Sequence, residues 1–166
     1  WVPSVKAVVV NLFYREMGFL LAKGNPLGIG GFEDLTRDGV RFINRQEGSG
    51  TRLLLDHNLQ KAGLRPDRIA GYENEVFTHI EVGLSILSGE ADAGIATVAV
   101  STMLGLDFIP IARERFDMIC DQSIFFQRGV QALMQVLNGD LYRQRIKNLK
   151  GYDFGNAGRI LYTQGE

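Results

Sequence analysis

The sequence predicts an α/β fold with a largely parallel sheet. Short apolar runs rich in β-branched residues alternate along the chain with leucine-bearing stretches at helical spacing. Turns containing Gly, Asn, Asp or Pro separate the two kinds of segment. The composition, 45% hydrophobic with 20 glycines among 166 residues, suits a soluble globular chain with many tight turns.

Taken in order, "VKAVVVNL" from Val5 to Leu12 reads as a buried strand, being β-branched and too short for a typical helix. A second extended stretch, Gly18 to Ala22, follows Tyr14-Arg15-Glu16 and stops at the turn Gly24-Asn25-Pro26. A short helix is expected from Phe32 to Arg37, then a strand from Val40 to Asn44. From Gly50 to Lys61, Leu53, Leu54, Leu55 and Leu59 make an apolar helix stripe, with Ser49 as N-cap and Gly63 as stop. The next helix runs from Phe77 to Leu87, with Ile80, Leu84 and Leu87 on its apolar face and Gly89 after it. "ADAGIATV" is a short buried strand, 97–104 a turn or two of helix, and Leu106 to Ile111 a strand closed by Pro110. Phe116 to Phe126 is extended but interrupted at Asp121-Gln122. Two helices follow, one carrying Val130, Leu133, Met134 and Leu137, the other starting at Gly139-Asp140.

Several function classes fail on chemistry. A formal net charge of −1 argues against a surface built to neutralise nucleic-acid phosphates. No run approaches the ~18 apolar residues of a membrane-spanning helix. Cys120 is the single cysteine, which excludes a disulfide framework and a CxxC metal site and reads as a buried structural thiol. His57 and His79, the two imidazoles, lack HExxH spacing and no acidic cluster joins them. Ser49 follows Glu47-Gly48, so GxSxG is absent. GxxxxGK[ST] and GxGxxG are absent around "GSGTRL". No catalytic residue, metal ligand or cofactor is assigned. The opening Trp1-Val2-Pro3, without methionine, suggests a processed protein or a fragment. With no leader legible, the cytoplasm is the expected location, or an extracytoplasmic one if a signal peptide has been removed.

The segment "NRQEGSGTRLLLD", residues 44–56, carries the chemistry. A helix start leaves backbone N–H groups without intrahelical partners and places partial positive charge there. Gly48 and Gly50 let the main chain approach a ligand, Ser49 and Thr51 add hydroxyls, and Arg45 and Arg52 add charged donor forks suited to oxyanions. The bland alternative is a plain Ser49 cap with surface ion pairs for the arginines. At the next helix start, Thr78 offers a hydroxyl and an amide and His79 a switchable charge; a simple cap and a backbone-bonded histidine are the alternative. Glu75 opposes an anion if close, or orients Arg45 or Arg52.

"NLFYREMGFLLAKGNPLGI", "RFINRQEGSGTRLLLD", "GYENEVFTH", "SGEADAGIA" and "GLDFIPIARERFDMIC" together resemble the periplasmic-binding-protein-like domain. That domain is attached to helix-turn-helix regulators and molybdopterin-biosynthesis proteins and is similar to type II solute-binding folds that hold molybdate or tungstate. "GYDFGNAGRI" is similar to the closing segment of oxyanion-binding relatives. The resemblance implies a type II α/β fold with two lobes and a hinge, non-enzymatic, with the second lobe at roughly 24–112 and the rest of the chain forming crossovers and part of the first lobe. It further implies that this chain starts downstream of the first-lobe strand and donor loop, so that either an N-terminal portion is missing from this sequence or this member has lost part of its first lobe. The ligand residues carried over are Ser49, Gly50 and Thr51, with Arg45, Arg52 and Thr78.

The expected function is binding or sensing of a small anion, a molybdate- or tungstate-like oxyanion, reported by lobe closure. Gly18, Gly24 and the stretches Phe13 to Leu20 and Ile111 to Met118 are the expected hinge. The alternative is the effector domain of a transcription regulator that recognises an organic acid or other small metabolite. Neither reading requires nucleic-acid contact or membrane insertion by this chain. Its expected partners are a fused or separate DNA-binding or cofactor-biosynthesis domain and a second copy in a homodimer.

Overall fold

The computed structural model describes residues 6–163. Trp1-Val2-Pro3 and Val5, where the first strand is expected to begin, lie outside the described residues. The chain divides into two compact units: one comprises residues up to Arg15 and from Arg113 onward, the other is Glu16–Ala112. The polypeptide passes between them twice, within its two longest strands, β1 (Ala7–Leu21) and β5 (Asp107–Asp121).

The unit Glu16–Ala112 is a sheet with helices on both faces. Its strands are the far half of β1, β2 (Phe42–Arg45), β3 (Glu75–Val76), β4 (Ala93–Thr97) and the near half of β5, in the order β3-β2-β4-β1-β5. Its helices are α1 (Gly50–Ala62), α2 (His79–Leu87) and α3 (Val98–Leu104). Alternation along β1 sends Met17, Phe19 and Leu21 to one face, where Leu35, Phe42, Leu55, Leu59 and Ile95 pack with them. Leu20 goes to the other face with Ile43, Val82, Ile86, Ala96 and Val100. Burial on both faces explains why these strands read as continuous apolar runs.

The second unit combines the near half of β1 and the far half of β5 with α4 (Gln122–Phe125), α5 (Arg128–Asn138), α6 (Asp140–Ile146), β6 (Tyr152–Asp153) and β7 (Ile160–Thr163). Both short strands pair antiparallel with β1. The core is small: Val8, Val10 and Phe125, with Met118, Cys120, Val130 and Met134 against them. Cys120 is half-buried rather than buried as expected; burial, then the neighbouring Asp121, pushes its thiol up.

Several sequence expectations require correction. The two extended stretches at the start are one strand, because Tyr14, Arg15 and Glu16 continue the β1 ladder: Tyr14 and Arg15 pair with Asp153 and Tyr152. Pro110 does not close a strand. It sits inside β5, at the end of the strand order, where a missing N–H is tolerated. Asp121 ends β5 by capping α4, so Phe126 is not in a strand. The sheet is mixed: β2 runs parallel to β3 and β4, but β4, β6 and β7 all run antiparallel to β1. Apolar runs look alike in either direction, so periodicity could not reveal this. Of the expected α2 face, Ile80 packs against the core but Leu84 and Leu87 do not belong to it. Val82 and Ile86 are buried, whereas Leu84 is 47% and Leu87 58% exposed.

Candidate functional site

β2 and β3 lie parallel, Asn44 opposite Glu75 and Arg45 opposite Val76, so α1 and α2 both start just beyond the carboxyl ends of paired strands. Ligands collect at this edge of a parallel sheet. The connection from β2 to α1 turns through Gly48 at φ 80°, a left-handed conformation that favours glycine. Ser49 N–H then donates to Gln46 O at 3.1 Å, and Ser49 caps the helix, its Oγ accepting from Arg52 N–H at 3.1 Å. Because that hydroxyl oxygen acts as acceptor here, its own hydrogen is left to donate elsewhere. The first turn of α1 carries no acidic residue, and Gly50, its first residue, is exposed.

The α2 start is different. Thr78 and Glu81 form a reciprocal capping box: Thr78 Oγ accepts from Glu81 N–H at 3.2 Å and donates to Glu81 Oε2 at 2.8 Å. Glu81 Oε2 also accepts from the N–H groups of Thr78 at 2.7 Å and Phe77 at 3.0 Å. The Thr78 hydroxyl, followed by these amides and Arg45, holds the Glu81 carboxyl below its ordinary range. This helix start is thus occupied by a carboxylate of its own.

The two arginines are tied down. Arg52, 7% exposed, donates from Nη1 to Glu75 Oε1 at 2.8 Å, and its guanidinium carbon lies 4.0 Å over the Tyr72 ring. Its Nε is 3.4 Å from Asp56 Oδ1 without hydrogen-bond geometry. Burial alone would lower the Arg52 pKa; contacts with Tyr72, Asp56 and Glu75 outweigh it and raise it. Burial pushes the Tyr72 hydroxyl up, and the 2.6 Å bond it donates to Asp56 adds to this. Arg45 donates to Gln46 Oε1 at 3.1 Å and Phe77 O at 2.7 Å, and its Nη1 meets His79 Nδ1 at 3.1 Å. A guanidinium has no acceptor, so Nδ1 accepts and the His79 ring proton belongs on Nε2.

Ser49, Gly50, Thr51 and Arg52 therefore share one turn, Arg45 stands at the end of the strand leading into it, and Thr78 opens the neighbouring helix. Gly50 is exposed, Ser49 half-buried and Thr51 buried, and the Thr78 hydroxyl and both guanidinium groups are engaged within the protein. Sequence reasoning missed two contributors. Asn44, buried, donates from Nδ2 to Tyr72 O at 3.0 Å and accepts from Arg45 N–H at 3.0 Å, and Asp56 anchors Tyr72. Both end the stretch 44–56, but their partner Tyr72 lies in another segment, so their roles depend on tertiary contact. Among the described residues, no group of three or more His, Cys, Asp or Glu side chains is placed to hold a metal ion.

With this geometry in place, comparison with known proteins is decisive: residues 1–138 match the PBP superfamily domain. The chain belongs to the PBP superfamily. Its two-unit architecture is the type II periplasmic-binding-protein-like fold. The uncharacterized protein YvgK of Bacillus subtilis (strain 168) is 34% identical over 166 residues, covering 96% of this chain and 53% of YvgK. The chain thus spans about half the length of that relative. Among solved structures, PEB3 of Campylobacter jejuni bound to L-phospholactate superposes with a TM-score of 0.57 at 20% identity, covering 87% of this chain and 68% of PEB3. The probable amino-acid ABC transporter extracellular-binding protein YtmK of Bacillus subtilis superposes with 0.55 at 15% identity, covering 86% and 62%.

These PBP-fold neighbours overturn the expected cytoplasmic location. One of them carries "extracellular-binding" in its name. The cytoplasmic reading rested on the lack of a legible leader, which carries no physical information about compartment.

Proposed function

We propose that this chain binds the oxoanion group of a small solute at the start of α1, with Ser49, Gly50 and Thr51 supplying hydroxyl and main-chain donors and Arg45 and Arg52 holding their turn in place. One observation carries this reading. Of the two helix starts at the shared sheet edge, that of α2 is filled by Glu81, while that of α1 has an exposed first amide, a spare hydroxyl hydrogen and no acid in its first turn. Such a site favours negative charge through unpaired N–H groups and the helix dipole together. Thr78 belongs to the site only if a ligand displaces Glu81. Closure of the two units on the solute is part of the proposal and requires better contacts in the closed state than in the open one.

The acceptor chemistry is shared by molybdate or tungstate and by phosphorylated or carboxylated organic acids. Binding of L-phospholactate by PEB3 supports the organic-acid version. Calorimetric titration of the purified chain with molybdate, tungstate, sulfate, phosphate and L-phospholactate tests the reading. Saturable binding of at least one, with small-angle scattering reporting compaction, is expected; silence to all five sinks it.

A further inference from the structure

The unit containing the C-terminal helices holds a cavity of about 480 Å³. Arg143, Ile146 and Lys147 line one wall, three positions of a single helix face spaced i, i+3 and i+4. Tyr152, Asp153, Phe154 and Gly155 line the other. The Tyr152 and Phe154 rings stand nearly parallel, 13° apart with centroids at 6.0 Å. Phe13 backs Tyr152 at 5.5 Å, and Tyr142 meets Phe154 edge-on at 5.9 Å. Neighbouring rings therefore hold this aromatic wall in place, yet both of its members stay half-buried beside the cavity.

The charge is unbalanced in one direction. Asp153, the carboxylate of the lining, is already held by Arg113 and by Gly155 N–H at 2.8 Å. Arg143 and Lys147 pair with no carboxylate among the described residues. Two uncommitted cations and an aromatic wall thus share one concavity, and its volume lies in the range used by small-molecule sites, about 300–1,000 Å³.

We propose that this cavity is a second binding site, for a small aromatic anion: a planar ring carrying a phosphate or carboxylate. An inorganic anion would use only the exposed, salt-screened cations, and a neutral ring only the aromatic wall. A ring with an attached anion engages both, the guanidinium as a fork and the ammonium as a point charge. A nucleic-acid strand fits less well, since it needs a track of cations and this chain carries a formal net charge of −1. The site lies in the other unit from the α1 turn and is independent of it.

Phenyl phosphate is the probe, titrated into the 166-residue chain by calorimetry and saturation-transfer NMR beside inorganic phosphate and phenol. Binding at least tenfold tighter than either control is expected. The double substitution Arg143→Ala with Lys147→Ala should weaken it at least tenfold, Phe154→Leu severalfold, and Lys61→Ala, which removes an exposed cation of the other unit, not at all. These residues are on or beside a short surface helix; should the double variant lose helicity by circular dichroism, Lys147→Gln alone, at the helix end, carries the same test. The proposal is overturned if phenyl phosphate is silent at millimolar concentration, if phosphate or phenol binds as tightly in a manner lost on substituting Arg143 and Lys147, or if phenyl phosphate binding survives that substitution unchanged. Tighter, steeply salt-dependent binding of a single-stranded oligothymidylate through Arg143 and Lys147 would also overturn it, in favour of a nucleic-acid surface.

Discussion

Glu75 Oε1 lies 2.8 Å from Arg52 Nη1 and at the same time accepts from Glu47 N–H at 3.1 Å. One carboxylate oxygen thus joins the strand beside β2, the loop that leads into α1 and the first turn of α1 itself. Glu75→Ala leaves the buried guanidinium with only Asp56 at 3.4 Å and the Tyr72 ring. Removing one partner of a fully buried ion pair costs about 3–5 kcal/mol. The Glu75 side chain is 32% exposed, so water compensates part of the loss and about 1–2 kcal/mol is expected. A lower urea midpoint at unchanged slope would show it. Glu75→Gln keeps an acceptor and should cost about half as much.

Gly50→Pro separates the anion site from the helix that makes it. Gly50 is the first helical residue, where proline is favoured and an N–H has no intrahelical partner. Ser49, at φ −71° and ψ 145°, already has the extended conformation that a following proline demands, and no atom lies within 4 Å of a Cβ built on Gly50. The variant should therefore fold with wild-type stability and lose one donor. Anion affinity should fall about tenfold, the equivalent of one charge-assisted hydrogen bond. Unchanged affinity in the same calorimetric titration would exclude that amide from the site.

The capping box of α2 should appear in the acid limb of stability. Glu81 has a depressed native pKa, so its contribution is fully present above the ordinary glutamate range near about 4.3 and is lost as pH falls through its native value. Glu81→Gln should be less stable than wild type at neutral pH, and the gap should narrow as pH falls from about 5 towards 3. Chemical denaturation of both proteins across that range measures the gap. A constant difference would mean that the glutamate's charge contributes nothing.

The packing of α2 distinguishes two otherwise similar apolar residues. Val82→Ala removes methyl groups from a fully buried position among Leu20, Ile43 and Ile86 and should cost about 1–3 kcal/mol. Leu87→Ala, at a position 58% exposed, should change stability by less than about 0.5 kcal/mol. Thermal or urea unfolding of the pair decides which face of the helix meets the sheet. Equal losses would contradict the arrangement described above.

Much of the fold was legible where local chemistry is decisive. Ser49 and Gly63 bound α1 as their types require, and Gly89 follows α2 at φ 76°. The limits of β1 and β5 were not, because Tyr14-Arg15-Glu16 and Pro110 look like interruptions until their pairing partners are known. At the candidate site, the turn at 48–51 could be read from its glycines and hydroxyls. The engagement of Arg52 by Glu75 and of Thr78 by Glu81 could not be ranked against ligand binding. Residue type shows that an arginine can hold an anion, but not whether an internal carboxylate already does.

By itself, the sequence determined the kind of most segments and the capped, glycine-flanked start of α1, since strand period, cap and glycine conformation depend on near neighbours. Only the tertiary structure decided which of two helix starts is open, which face of α2 is buried, and that β1 runs against β4. Those outcomes depend on groups far apart in the chain: Arg52 and Glu75, Val82 and Leu20, Met17 and Thr97. Such pairs compete for the same charge, volume or backbone hydrogen bond, and that competition is resolved only when the chain has folded.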